Sequence, residues 1–324
     1  MSELALIADI GGTNTRFALV DPGLAQPALR CVRTLPCAGY ASLQSAAKAY
    51  LADVGAAPTR AAFAVACPVA GDAIRLTNRA WAFSRSELQQ LLALDELQVI
   101  NDFGAVARAV PALSLADTVS LHGDGTLPSR GPITVLGPGT GLGVALLVGD
   151  AAQGWQVVET EGGHVSFAAL CDEEQHIARW MTARFGRTSN ERVLSGVGLS
   201  HIDAALREPA SAGGPADASL REPSDIVEAA LAGDDRDARR ALARFCAVLG
   251  SVAGDCALLH GATSVMIAGG IVPRFIPFLQ SSAFRERFLA KGRFAAYLES
   301  VSIHVITHPQ PGLLGAACAL QRNS

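Results

Sequence analysis

Short apolar runs alternate with glycine-rich or polar breaks along the chain. Leu4–Ile10 is an almost unbroken apolar run of strand length, Gly11-Gly12-Thr13-Asn14-Thr15 interrupts it, and Arg16–Val20 resumes it. This pattern predicts a β-hairpin with a glycine-rich tip. The same plan returns at Ile133–Leu136, Gly137 to Gly143 and Val144–Val148, a repeat of arrangement rather than of sequence. Apolar runs at Ala61–Ala66, Leu97–Ile100, Val265–Ala268 and Val301–Ile306 predict further strands. Helical spacing predicts helices over Ser42–Leu51, Ser84–Leu92, Phe103–Val110, Asp237–Leu259 and Gly312–Gln321. The second opens with a Ser84-x-x-Glu87 capping box, and Gly250 or Gly254 is expected to bend the fourth. From Glu173 the pattern is mainly helical. Residues 206–224, rich in Pro, Gly, Ala and Ser and carrying Leu-Arg-Glu-Pro twice, predict a solvent loop without chemistry. Strands and helices mixed in this way mean α/β layers.

A chain of 324 residues, half apolar and 17% charged, can bury a sizeable core and is long enough for two domains. Its net charge of -4 gives no reason to expect a nucleic-acid partner. Only two residues are lysines, Lys48 and Lys291, and neither follows the glycines of a P-loop, so any ATP is held another way. The seven cysteines form no Cys-x-x-Cys pair, which suits free thiols in a reducing compartment. No basic and apolar leader opens the sequence, and no apolar run reaches the ~18 residues of a membrane span. The expectation is a cytoplasmic protein with no membrane partner.

Gly139-x-Gly141-x-Gly143 fails the G-x-G-x-x-G spacing of a dinucleotide site. One such turn would ordinarily be a plain hairpin. Two of them, with Thr hydroxyls beside backbone N–H groups, suit a polyphosphate. Asp9, before the first turn, is either a polar strand end or the carboxylate that holds hydrated Mg²⁺. Asn101-Asp102 is either a ligand-binding strand end or the N-cap of the next helix. Glu161, His164 and Glu191 offer acceptors to a polyol, although Glu191 could equally favour a helix N-terminus. Gly269-Gly270, after a strand, is a turn signal that also allows close approach of a base or ribose.

Taken together, these segments resemble the hexokinase–actin ATPase superfamily. Ala8 to Arg16 is similar to its first phosphate loop, Gly137–Gly143 to its second, and Ile267-Ala268-Gly269-Gly270-Ile271 to its adenosine motif. Within it the chain resembles the bacterial glucokinase family, through Ala66 to Asp72, Leu76-Thr77-Asn78, Ile100-Asn101-Asp102-Phe103, Glu161-Gly162-Gly163-His164-Val165, Glu191 to Gly196 and Gly312 to Gly315. The resemblance implies an α/β fold of two actin-like, ribonuclease H-like domains hinged over an active-site cleft. Residues 1–111 plus 305–324 would form the smaller domain and 112–304 the larger. It implies ATP-dependent phosphorylation of glucose at the 6-hydroxyl, feeding glycolysis, and a homodimer. Asp102 would be the general base, and Asn101, Asp102, Glu161, His164, Glu191 and Asn78 would bind glucose. Asp9, Gly11, Gly12, Thr13, Asn14, Thr15, Gly139, Thr140, Gly141, Gly269 and Gly270 would bind ATP, with Asp9 on Mg²⁺ through water. Thr160 departs from the pattern, standing where the family has a glycine. The related ROK kinases and repressors share Glu-x-Gly-His but carry a cysteine-rich zinc motif. Here Cys171 is the one cysteine between Cys67 and Cys246, so no zinc is expected. A sugar-responsive DNA-binding regulator is disfavoured because the phosphate loop begins at Asp9 and no basic cluster appears. A kinase for mannose or an N-acetylhexosamine stays open.

Overall fold

The computed structural model describes residues 4–24, 26–76, 81–207 and 220–321. The chain divides into two α/β units: Met1–Asp117 with Leu147–Glu159 and His308–Ser324, and Thr118–Leu146 with Thr160–Thr307.

In the first unit, β1 (Ala5–Ile10), β2 (Asn14–Val20), β3 (Arg30–Pro36) and β4 (Arg60–Val65) are followed by a small two-stranded sheet, β5 (Ala73–Arg75) with β6 (Ala82–Ser84), and by β7 (Glu96–Asn101). The main sheet runs β3-β2-β1-β4-β7. β2 is antiparallel to β1 and β3, whereas β1, β4 and β7 are parallel. β1 and β4 read as continuous apolar runs because both their faces are covered. Leu6, Ala8 and Ile10 pack with Leu43, Ala47 and Tyr50 of the helix Leu43–Val54. Ala5 and Ile7 point the other way. They pack with Leu313, Ala316 and Ala317 of the helix Pro311–Ala319. β3 is an exposed edge strand without alternation, and no apolar pattern announces it.

A second sheet is formed by β8 (Thr118–His122), β9 (Ile133–Pro138), β10 (Leu142–Asp150), β11 (Gly154–Thr160), β12 (Ser264–Ile267) and β13 (Ser302–Ile306). Residues 147–159, the distal part of the β10–β11 hairpin, group with the first unit. The order is β11-β10-β9-β12-β13-β8, with β9, β12 and β13 parallel and β8 antiparallel at the edge. Its first five positions repeat the β3-β2-β1-β4-β7 order, so the two glycine-tipped turns stand at equivalent places in the two sheets.

The 25-residue helix Arg236–His260 is the core of the second unit. Asp235 Oδ1 caps it by accepting from Ala238 N at 2.8 Å, and Gly261 ends it with φ 61°. Among the described residues it is the one helix long and apolar enough to cross a membrane, and 72% of its apolar window is buried. The helix is continuous through Gly250 and Gly254. Those glycines admit the helix Phe284–Leu289: a Cβ on Gly254 would lie 2.6 Å from Phe288 O, and one on Gly250 would overlap Phe284 O. Beside this contact Glu174, fully buried, accepts from Arg244 Nη1 at 3.0 Å, Arg287 Nη1 at 2.8 Å and Leu170 N at 2.8 Å.

The loop expected over 206–224 is shorter at both ends. The helix Gly196–Arg207 extends into it, and the helix Pro223–Ala232 begins before its end. Residues 208–219 lie outside the described residues. Its edge also has a structural role, because Arg221 bridges the buried Asp203, with Nε 2.9 Å from Oδ2, and Asp235.

Candidate active site

Each unit contributes a separate set of polar groups. In the first, Asp9 on β1 stands opposite Arg16 on β2, and Arg16 Nη1 lies 3.3 Å from Asp9 Oδ2. Burial pushes the Asp9 carboxyl up, and the charge and hydrogen bond of Arg16 oppose that shift. The start of the helix Pro311–Ala319 abuts the same carboxylate, since a Cβ on Gly312 would lie 2.9 Å from Asp9 Cγ. The turn after β1 is held from both sides: Gly11 N donates to Asn14 O at 3.1 Å, and Cys37 N donates to Thr13 O at 2.9 Å. Thr13 is exposed at the tip, with Gly11, Gly12 and Asn14 half-buried around it. Thr15 differs from the rest of the expected ATP set. Its side chain is fully buried on β2, and its hydroxyl meets no partner among the described residues.

β7 delivers Asn101 and Asp102 at its C-terminal end, where parallel strands collect ligands. The two readings of this pair separate in the structure. Asn101 is the N-cap of the helix Asp102–Ala109, its Oδ1 accepting from Phe103 N and Gly104 N at 2.9 Å each. Asp102 is the first helical residue, half-buried, with Oδ1 accepting from Phe103 N at 2.8 Å. Asn101 Nδ2 donates to Cys67 O at 3.4 Å. Burial raises the Cys67 thiol pKa, and the charge of Asp102 adds to that shift, which places the thiol within reach of the carboxylate field. Asn78 lies outside the described residues.

In the second unit Glu161 and His164 flank the single turn Gly162–His164. His164 Nε2 is 3.9 Å from Glu161 Oε2, and His164 Nδ1 is 3.8 Å from Glu191 Oε1. Three acceptor-rich groups thus converge with His164 in the middle. Segment 165–167 pairs with 188–190, through Phe167 N to Thr188 O at 3.1 Å and Asn190 N to Val165 O at 2.9 Å. That pairing sets Glu191 in the first turn of the helix Asn190–Val193, which Ser189 caps. Thr160 compensates for its departure from the family pattern: its hydroxyl donates to Val144 O at 2.7 Å and accepts from Gly162 N at 3.2 Å, pinning the loop to β10.

The turn after β9 adjoins this set. Glu191 Oε2 accepts from Leu142 N at 3.0 Å, and its carboxylate occupies the space a Cβ on Gly141 would need. Gly139 N donates to Gly141 O at 2.8 Å, and Gly139 O accepts from Gly196 N at 2.9 Å. Gly269, with φ 93°, passes so close to Pro138 O that no side chain fits there, while Gly270 faces open space. The residues of the second turn and of the adenosine-like turn are therefore neighbours. Thr140, His164, Arg187 and Glu191 line one cavity of about 320 Å³. Local sequence gave no sign of Arg187, whose guanidinium donates to His164 O and so fixes the loop carrying that imidazole. Among the described residues no group of three or more His, Cys, Asp and Glu is placed to hold a metal ion.

Residues 6–323 match the family model described as glucokinase. A glucokinase of Tolumonas auensis is 42% identical over 328 residues, covering 99% of this chain and 98% of its own. A glucokinase of Yersinia pestis is 43% identical over 326 residues, with the same coverage. The crystal structure of a glucokinase from an Antarctic psychrotroph superposes with a TM-score of 0.85 at 37% identity, covering 99% of both chains.

Proposed function

The chain belongs to the glucokinase family and phosphorylates glucose with ATP, and from that premise we propose that the phosphoryl group goes to the 6-hydroxyl with Asp102 as general base. The observation that carries this role is that Asn101, not Asp102, caps the helix. The Asp102 carboxylate therefore stands at the end of a parallel strand with the capping of that helix already provided. A carboxylate there takes the hydroxyl proton as the sugar oxygen attacks phosphorus. Asn101, Glu161, His164, Glu191 and Asn78 hold the remaining hydroxyls. The turns Gly11 to Thr15 and Gly139 to Gly141 hold the phosphates, with Thr15 taking part through its backbone position rather than its hydroxyl. Gly269 and Gly270 border the adenosine. The shared cavity of Thr140, His164 and Glu191 supports bringing a phosphate-loop residue and sugar ligands to one reaction.

Mg²⁺, bound with ATP, would neutralise phosphate charge. Asp9 suits it, because a single carboxylate held through water fits a cation that keeps several waters. The resemblance also supports a homodimer, tested by sedimentation, and the free thiols support a cytoplasmic setting. Asp102→Asn tests the base assignment. Calorimetry should show glucose affinity within about tenfold of the parent, while kcat falls by at least about a hundredfold. Near-normal kcat would remove Asp102 from the chemistry.

A further inference from the structure

The helix carrying Asp102 begins with an incomplete capping motif. In a capping box the N-cap side chain accepts from the N3 backbone N–H, and the N3 side chain accepts in return from the N-cap backbone N–H. Asn101 performs its half by accepting from Gly104 N. Gly104 occupies N3 and has no side chain to perform the other. Glu159, at the far end of β11 and grouped in the same unit, performs it instead. Its Oε1 accepts from Asn101 N at 3.4 Å. Its carboxylate fills the space of the missing side chain: a Cβ on Gly104 would overlap Oε1 and lie 2.8 Å from both Cδ and Cγ. Gly104 is buried and Glu159 exposed, so the carboxylate closes over the helix start from outside. A negative charge there also suits the positive end of the helix.

We infer that Glu159 is a positioning residue for the phosphoryl-transfer reaction, completing from a distant strand the capping box that fixes Asn101 and, through it, the Asp102 carboxylate. This rests on the reading of Asp102 as general base. A general base must sit within hydrogen-bond reach of the proton it takes, and a small displacement costs rate. Glu159 reaches the backbone N–H of Asn101 rather than a group assigned to the sugar, so its loss should lower kcat more than it changes binding. Gly104 and Glu159 form one device: the helix needs glycine at N3 because the acceptor arrives from elsewhere.

Five variants test this in a coupled steady-state assay, alongside thermal melts. Glu159→Ala should lower kcat by about five- to twentyfold and leave the KM for ATP within twofold, with the melt little changed, the pattern of an interaction that serves the transition state. Glu159→Gln, whose amide oxygen still accepts, should keep at least half of kcat. Gly104→Ala should expel the carboxylate and match Glu159→Ala, and the double variant should be no worse than either single one, because partners in one interaction are not additive. Gly104→Glu in the Glu159→Ala background places the acceptor back at N3 and should restore at least half of the lost kcat. A kcat for Glu159→Ala within twofold of the parent overturns the inference. So does a double variant whose losses multiply. Asp102→Asn separates the two levels: if it is inactive while Glu159→Ala is normal, the base stands and the positioning role falls. If Asp102→Asn is active, both fall.

Discussion

Gly141 lies in the turn proposed to hold the ATP phosphates, yet the space of its missing side chain is taken by Glu191, a proposed sugar ligand. Alanine at 141 would overlap Glu191 Oε2 and put Cβ 3.2 Å from Glu191 Cδ. Gly141 does not lie in the left-handed region, so the backbone accepts alanine and the carboxylate must move. In moving it loses the bond from Leu142 N at 3.0 Å and shifts Oε1 from its place 3.8 Å from His164 Nδ1. A hydrogen bond to a charged group contributes about 1.5–3 kcal/mol. Loss of that order from the glucose-bound state raises the glucose KM by roughly ten- to a hundredfold, since each 1.4 kcal/mol is tenfold. Gly139→Ala is the contrasting variant, because a Cβ there meets nothing within 4 Å and faces the open side of the turn. It should raise the KM for ATP and leave that for glucose within twofold. Both are measured by varying each substrate at saturation of the other. If Gly141→Ala raised the KM for ATP alone, or left both constants unchanged, the claim that this glycine makes room for Glu191 would be refuted.

Glu174→Ala should destabilise the second unit by about 3–5 kcal/mol at neutral pH, because Arg244 and Arg287 are left facing an empty buried position; urea unfolding checks it. Burial raises the Glu174 pKa, but hydrogen bonds from Arg287 and Leu170 N and the Arg287 charge outweigh it and hold the group below its ordinary value of 4.5. A depressed folded pKa means its stabilisation is complete above 4.5 and fades as pH falls through the folded value, so the difference between parent and Glu174→Gln should narrow only in acid. Gly250→Ala should cost about 1–3 kcal/mol through overpacking against Phe284, seen as a lowered Tm.

Much of the fold was legible because its central strands are buried on both faces. β1, β4, β9 and β12 are apolar runs bounded by glycine or proline. β3, β8 and β11 were not legible, because edge strands with solvent on one or both sides lose the alternation that marks a strand. Gly250 and Gly254 show a different limit. Glycine in a helix signals either a bend or a close neighbour, and only the placement of Phe284 and Phe288 reveals the neighbour. At the site, residue types and order pointed to Asp102, Glu161, His164 and Glu191. Which of Asn101 and Asp102 caps the helix was not readable, since both side chains make good caps. The couplings of Glu191 to Gly141 and of Glu159 to Gly104 span about fifty residues of sequence, and nothing local announces them.

The helix Pro311–Ala319 lies over the face of the first sheet formed by Ala5, Ile7, Ala18 and Ala62. In a growing polypeptide those strands leave the ribosome long before the helix that covers them. Until that helix emerges, the strands carry an apolar surface awaiting it, a state prone to aggregation. A product cut short before Pro311 leaves an uncovered sheet rather than half an enzyme, and it belongs to chaperones and proteases. The order of manufacture thus makes arrival of the helix Pro311–Ala319 a condition for the first sheet to bury that face.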